Sequence, residues 1–168
     1  MSAGNLTIRP ANPADATIIA DLVRELAEYE KLAHEARAVA ADFTRELESP
    51  NPVIHVLIAE WDGEPAGFAL YFFNFSTFVG RQGLYLEDLF VRPAHRSRGI
   101  GRELLRALAR IAQQRGCGRM EWAVLDWNEP ALRFYKSLDA RPMNEWIIHR
   151  LTPVEIARLA AENGARAT

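Results

Sequence analysis

A chain of 168 residues with one cysteine and a formal net charge of -2 excludes several classes at once. It is long enough for one domain with a sizeable core, its charge is not that of a general nucleic-acid binder, and Cys117 alone builds neither an internal disulfide nor a cysteine-based zinc site. Met1 to Asn5 lacks the basic and apolar regions of a signal peptide and no apolar run spans a bilayer, so a reducing cytoplasm and no membrane partner are expected.

Leu6-Thr7-Ile8 predicts a short strand ended by Arg9-Pro10. Asn12 or Asp15 can cap the helix that follows, with Pro13 tolerated in its first turn. Ile18, Ile19, Leu22, Val23, Leu26 and Tyr29 recur at helical spacing as one apolar face. Asp21, Glu25 and Glu28 occupy the other, with Glu30 near the end; they read either as a solvated face or as an acidic lip for a cation. Residues 37–48 predict a second, weaker helix, broken by Ser49-Pro50-Asn51-Pro52. Residues 53–61 predict a strand, Asp62-Gly63 a turn, and residues 65–73 the returning strand. Gly67 inside that strand signals a bulge or a close backbone approach. Residues 74–83 read as a loop, and Phe72, Phe73, Phe75 and Phe78 in or beside it either line a pocket or form a small satellite core.

Leu84 to Val91 is an apolar strand interrupted by Glu87 and Asp88, and Pro93 ends it. Arg96-Ser97-Arg98-Gly99-Ile100-Gly101 then makes a basic, glycine-rich turn into a helix running to about Arg115. That helix turns Ile100, Leu104, Leu108, Ile111 and Ala112 inward and Arg98, Arg102, Arg106 and Arg110 outward; Gly116 stops it. Residues 120–125 predict a strand, Asn128 the cap of a short helix with Leu132, Phe134, Tyr135 and Leu138, residues 146–151 a last strand, and Thr152-Pro153 the start of a terminal helix. Strands alternating with helices after a leading hairpin predict an α/β or α+β fold with a mixed sheet.

Strand, basic turn and helix N-terminus together receive phosphate. The turn lacks the Gly-Lys-Ser/Thr ending of a P-loop, and Leu104 stands where a dinucleotide fingerprint needs its third glycine or alanine. What remains is a pyrophosphate turn for an acyl-coenzyme A, with Arg98 and Arg102 at the helix start as phosphate contacts and two acids beside it suited to amine chemistry.

Arg96 to Gly101 resembles the Arg/Gln-x-x-Gly-x-Gly/Ala signature of the GNAT superfamily of acyl-CoA-dependent N-acetyltransferases, and Asn128-Glu129-Pro130-Ala131-Leu132-Arg133-Phe134-Tyr135 matches a second block at the usual distance. A narrower likeness, to the diamine and thialysine acetyltransferases, rests on Ile8-Arg9-Pro10-Ala11, on Glu25 to Glu30, on Tyr85-Leu86-Glu87-Asp88 and on Ala123 to Asn128. Ser76-Thr77-Phe78 departs from the polyamine enzymes, and Asp139 replaces the glycine usual after the tyrosine helix. The resemblance implies one N-acetyltransferase domain over residues 1–168. Its sheet would be mixed and mostly antiparallel, with six to seven strands, a splayed parallel pair and helices on both faces. It also implies acetyl-CoA as cosubstrate, no metal, a small amine acceptor (diamine, polyamine or thialysine/lysine-like), no nucleic-acid partner and a homodimer.

An alkylammonium with a pKa near 10 must lose a proton before attacking a thioester. The resemblance makes Glu87 the base, acting through a water, its pKa raised by burial and by Asp88. In a regular strand Asp88 points to the opposite face, as a structural partner or a contact of a long amine; alternatively the pair forms a salt bridge with a nearby arginine. Tyr135 reads from helical spacing as a core tyrosine and from the motif as the acid that protonates the leaving thiolate. Asn128 holds the pantetheine arm, caps its helix, or does both. The resemblance further implies that backbone N–H groups of Leu89, Phe90 and Val91 polarise the thioester. Arg96, Ser97, Arg98, Gly99, Ile100, Gly101 and Arg102 hold the pyrophosphate, and Tyr29, Glu30, Phe78, Glu87 and Asp88 meet the amine. Cys117 lies beyond the far end of the helix, so no covalent intermediate is expected. His34, His55, His95 and His149 lack metal-ligand spacing, and His95 reads as a solvated loop residue. The alternatives are a protein or peptide N-acetyltransferase and a non-catalytic acyl-CoA-binding module.

Overall fold

The computed structural model describes residues 4–162, which divide between Leu125 and Asp126 into two compact units. The first carries a sheet of strands β1 (Leu6–Pro10), β2 (His55–Trp61), β3 (Glu64–Ser76), β4 (Arg81–Val91) and β5 (Arg119–Trp122), ordered β1-β2-β3-β4-β5. Every pair is antiparallel except β4 with β5. This is the mixed, mostly antiparallel sheet that the sequence predicts, with five strands among the described residues in place of six to seven.

Helices α1 (Ala16–Tyr29) and α2 (Ala40–Glu48) cover one face. Ile19, Leu22 and Leu26 pack with Phe43 against Val56, Ile58, Phe68, Leu70 and Phe90 in one buried cluster. The alternate strand residues Leu57, Ala59, Ala69, Leu84 and Leu86 are buried on the opposite face, where α3 (Ile100–Gln114) lays down Ile100, Leu104 and Leu108. The second predicted helix starts later than residue 37, where the Val39 N–H donates to the Asp42 carboxylate at 3.0 Å. Asn12 caps the entry to α1 through the Ala14 N–H. Asp15 is buried and takes two hydrogen bonds from Arg9, which also reaches Glu60, so the end of β1, the start of α1 and β2 are tied at one point. That guanidinium holds the Asp15 carboxyl below the usual carboxylate range.

Gly67 combines the two features its sequence position signals. A bulge interrupts the β2–β3 register between Ala59 and Glu60, directly beside the Ala59–Gly67 pair. A Cβ on Gly67 would lie 2.4 Å from the Phe90 carbonyl oxygen, so β3 and β4 approach as only glycine permits. Gly67→Val is expected to destabilise the protein by about 3 kcal/mol, read as a lowered urea midpoint, because the neighbour that must yield is backbone.

The second unit carries α4 (Glu129–Lys136) and α5 (Pro153–Ala161). Asn128 caps α4 through the Ala131 N–H. Asp139, in the position of the usual glycine, adopts φ 59°, and the Ala140 N–H closes on the Tyr135 carbonyl at 3.2 Å. Aspartate tolerates the left-handed region better than most residues, so the turn keeps its glycine-type geometry. The strand expected at residues 146–151 is absent: that stretch joins no ladder, and Trp146, Ile147 and Ile148 are exposed. Its β-propensity describes fit to a pleated, half-buried surface, and no neighbouring strand within this unit supplies one.

Candidate active site

The centre of β4 is irregular. Leu86 lies opposite Tyr71 and Asp88 opposite Leu70, so Glu87 is an extra residue that the partner strand does not match. The bulge inverts the alternation of the strand. Before it, Leu84 and Leu86 face α3; after it, Asp88 and Phe90 lie opposite Leu70 and Phe68 and so share the α1 face. The parallel pairing of β4 with β5 also ends at Leu86/Trp122, immediately before Glu87. From residue 87 onward β4 pairs only with β3 among the described residues, which is the splayed arrangement expected of the parallel pair.

The two acids are unequal in a way the sequence did not announce. Glu87 is exposed at the bulge, which corrects the expectation that it is the buried carboxylate. Asp88 is half-buried, and burial first, then the charges of Glu87 and Glu30, push its pKa up to about 7. Glu30 itself, at the end of α1, is raised by burial. Glu87 and Glu30 are thus both close enough to Asp88 for their charges to act on it.

Two other acids of the predicted lip, Glu25 and Asp21, are already paired with arginines. Glu25 accepts three hydrogen bonds from Arg92 at 2.7–3.1 Å, and Asp21 pairs with Arg24. Arg92 also donates to the Pro65 carbonyl at 2.7 Å, fastening α1 to the end of the sheet. Sequence inspection misses Arg92, because its partner is 67 residues away and leaves no local pattern.

After β4 the chain makes a 3-10 turn, Pro93–His95, and enters the basic turn. Ser97 and Gly99 both take left-handed backbone, φ 62° and 82°, curling the turn round its own N–H groups. The first α3 bond runs from the Glu103 N–H to the Gly99 carbonyl, which leaves the N–H groups of Ile100 and Gly101 outside the helical ladder. Arg98 lies over the Trp61 ring at 4.9 Å. A cradle of this kind fits a diphosphate. Arg96 behaves differently: its Nε donates to the Val91 carbonyl at 2.9 Å, and its guanidinium lies 4.5 Å from the Tyr29 ring centre and 5.7 Å from that of Phe90. His95 is not fully solvated, since its Nδ1 is buried without a hydrogen-bond partner.

One predicted residue stands apart from this cluster, and two more belong to the second unit. Phe78 is 91% exposed at the tip of the β3–β4 hairpin, and Phe75 is 63% exposed, so neither forms a satellite core. Six residues separate Arg81 from Glu87, which at ~3.3 Å each puts Phe78 at least ~20 Å along the strand from the acids. The other two, Asn128 and Tyr135, belong to the second unit. There Asn128 is buried as the α4 cap, and Tyr135 is half-buried with its ring centre 5.5 Å from that of Phe134. Among the described residues, no group of three or more His, Cys, Asp or Glu side chains gathers as metal ligands, and no helix is long and apolar enough to cross a membrane.

Comparison with known proteins agrees with this architecture. The sequence matches the profile described as the acetyltransferase (GNAT) family over residues 19–139. It is 39% identical over 149 residues to the thialysine N-epsilon-acetyltransferase of Sus scrofa, an alignment that covers 84% of this chain and 87% of the relative. It is 33% identical over 165 residues to the spermidine/spermine N(1)-acetyltransferase-like protein 1 of Homo sapiens, covering 92% of this chain and 24% of that protein. An integron cassette protein from V. cholerae superimposes with a TM-score of 0.78 at 28% identity, covering 93% of this chain and 98% of the other. With its signature turn at the head of α3 and its parallel strands splayed at Glu87, the chain belongs to the GNAT family and is an acetyl-CoA-dependent N-acetyltransferase.

Proposed function

We propose that the protein transfers the acetyl group of acetyl-CoA to a primary amine of a small substrate: a thialysine- or lysine-like amino acid, a diamine or a polyamine. The observation that carries this reading is the adjacent pair Glu87 and Asp88 at the β4 bulge, where β4 parts from β5 and the charge of Glu30 reaches Asp88, on the strand that leads into the pyrophosphate turn. Carboxylates there attract an ammonium, and the raised proton affinity of Asp88 suits a group that senses whether the amine is charged. Relatives named for thialysine and for spermidine/spermine point to the same substrate class.

In this reading the N–H groups of the 96–101 turn, with Arg98 and Arg102, hold the pyrophosphate. Leu89 to Val91 offer backbone to the pantetheine arm and polarise the thioester carbonyl. Asn128 supports the arm while capping α4. Glu87, exposed to water at the bulge, accepts the amine's proton through a water. The freed nitrogen lone pair then attacks the thioester carbonyl carbon and forms the C–N bond. As the C–S bond breaks, Tyr135 gives its phenolic proton to the departing thiolate, the nitrogen sheds its second proton to solvent to leave a neutral amide, and the tyrosinate regains a proton from solvent. Two species, the amide and free coenzyme A, leave without a covalent enzyme intermediate. The family profile runs across the division at Leu125, in keeping with a single N-acetyltransferase domain; a cytoplasmic homodimer is the assembly we infer from the resemblance.

The test is a panel of lysine analogues, diamines, polyamines and peptides, incubated with acetyl-CoA while free thiol is followed. Turnover of one small-amine class well above peptides is expected. Tight coenzyme A binding with no amine acetylated would remove the reading, and peptide-only turnover would move the acceptor to proteins.

A further inference from the structure

The signature arginine of the pyrophosphate turn does not behave as a phosphate ligand. Its backbone sits in the turn, but its charged head crosses to the α1 face of the sheet and stacks on Tyr29 and Phe90. Phe90 belongs to the core beneath α1, and Tyr29 packs against that core. The Nε bond to the Val91 carbonyl fixes the direction of the side chain. Four residues earlier, Arg92 grips Glu25 of the same helix and the Pro65 carbonyl. Two arginines of one short segment thus hold the last two turns of α1. The residue that follows this gripped stretch is Glu30, the C-cap of α1, whose charge acts on Asp88.

We propose that Arg96 is a positioning residue for the amine: stacked on Tyr29 and bonded to Val91, it fastens the Glu30 end of α1 to the turn that receives the pyrophosphate. The inference rests on the reading that the amine enters between Glu30 and Asp88. It has a mechanical consequence. When the diphosphate orders the backbone of the turn, Arg96 carries that order to Tyr29 and Glu30, so the amine meets a better-defined pocket once acetyl-CoA is bound. The contacts are individually modest, a cation over an aromatic ring and one charge-assisted hydrogen bond, and together they support an effect of about 5- to 20-fold on the amine.

The experiment compares wild type, Arg96→Gln, Tyr29→Leu, Tyr29→Phe and the Arg96→Gln/Tyr29→Leu double variant, measuring coenzyme A affinity by calorimetry and amine KM by thiol release. Arg96→Gln is expected to raise amine KM about 5- to 20-fold while coenzyme A affinity stays within about twofold. Tyr29→Leu should raise it similarly, Tyr29→Phe should recover most of that loss by keeping the ring, and the double variant should be no worse than the poorer single one. If Arg96→Gln instead weakens coenzyme A tenfold or more and leaves amine KM alone, Arg96 is a phosphate ligand and the inference is overturned. Additive effects of the two substitutions overturn it as well. Wild type that acetylates no amine overturns the proposed function, and this inference with it; wild-type turnover with either earlier result overturns this inference alone.

Discussion

Asp88→Asn is expected to make the protein more stable at pH 8 while costing it most of its amine turnover. Asp88 titrates near 7 in the folded chain against an ordinary value of 3.8, so folding raises its proton affinity. A group raised in this way stabilises fully below the unfolded value, and that contribution is lost as pH rises through the folded one. Between about pH 4 and 7 the folded state holds a proton the unfolded state has released, and stability declines with pH. The shift corresponds to an upper bound on the order of 4 kcal/mol, of which solvent relaxation around a half-buried group leaves about 2. Asparagine carries no charge to desolvate. Thermal unfolding at pH 8 should therefore show Asp88→Asn melting about 5 °C above wild type, with the gap closing at pH 5. Equal melting points at both pH values would contradict this account of Asp88. If Asp88 is the counter-charge for the ammonium, as the proposed function has it, the same substitution should lower kcat/KM for the amine about 100-fold. The wild-type rise of kcat/KM through about pH 7, as Asp88 loses its proton, should vanish with it.

Tyr135→Phe is expected to lower kcat by about two orders of magnitude, the usual contribution of a positioned general acid. Coenzyme A affinity should stay within about twofold, since the phenol acts on the sulfur only as the C–S bond breaks. An acetylated aryl thiol supplied as donor provides a sharper control. Its thiolate leaves without protonation, so the deficit of the variant should shrink with that donor. A deficit that is the same for both donors would assign Tyr135 to packing beside Phe134 and not to proton transfer.

Much of the scaffold was legible because its determinants are local. The α3 stripe from Ile100 to Ala112, the β2–β3 turn and the Asn128 cap each rest on residues a few positions apart, and the structure contains all three. The glycine at 67 announced a close approach without naming Phe90, because a missing Cβ says that something is near but not what. The two acids of β4 stand out in the sequence, yet which of them is covered and which is open does not. An alternating pattern assumes a regular strand, and one unmatched residue in β4 exchanges which acid is covered and which is open. Glu25 looked like part of an acidic lip because nothing near it in sequence reveals Arg92. Residues 146–151 read as a strand on propensity alone, and propensity does not supply a partner edge.

The unmatched residue in β4 also bears on how such a protein can diversify. Leu84 and Leu86, which seat α3, and Asp88 and Phe90, which face α1, lie on one strand but follow separate alternations, with Glu87 as the joint between them. A substitution after the joint changes the acceptor side without turning any α3-facing side chain to the wrong layer. A substitution before it leaves the acceptor side in place. One continuous strand therefore offers two independently editable halves: one that seats α3 and tolerates little, and one on the α1 side which, under the proposed function, can be altered to accept another amine while the frame is inherited intact.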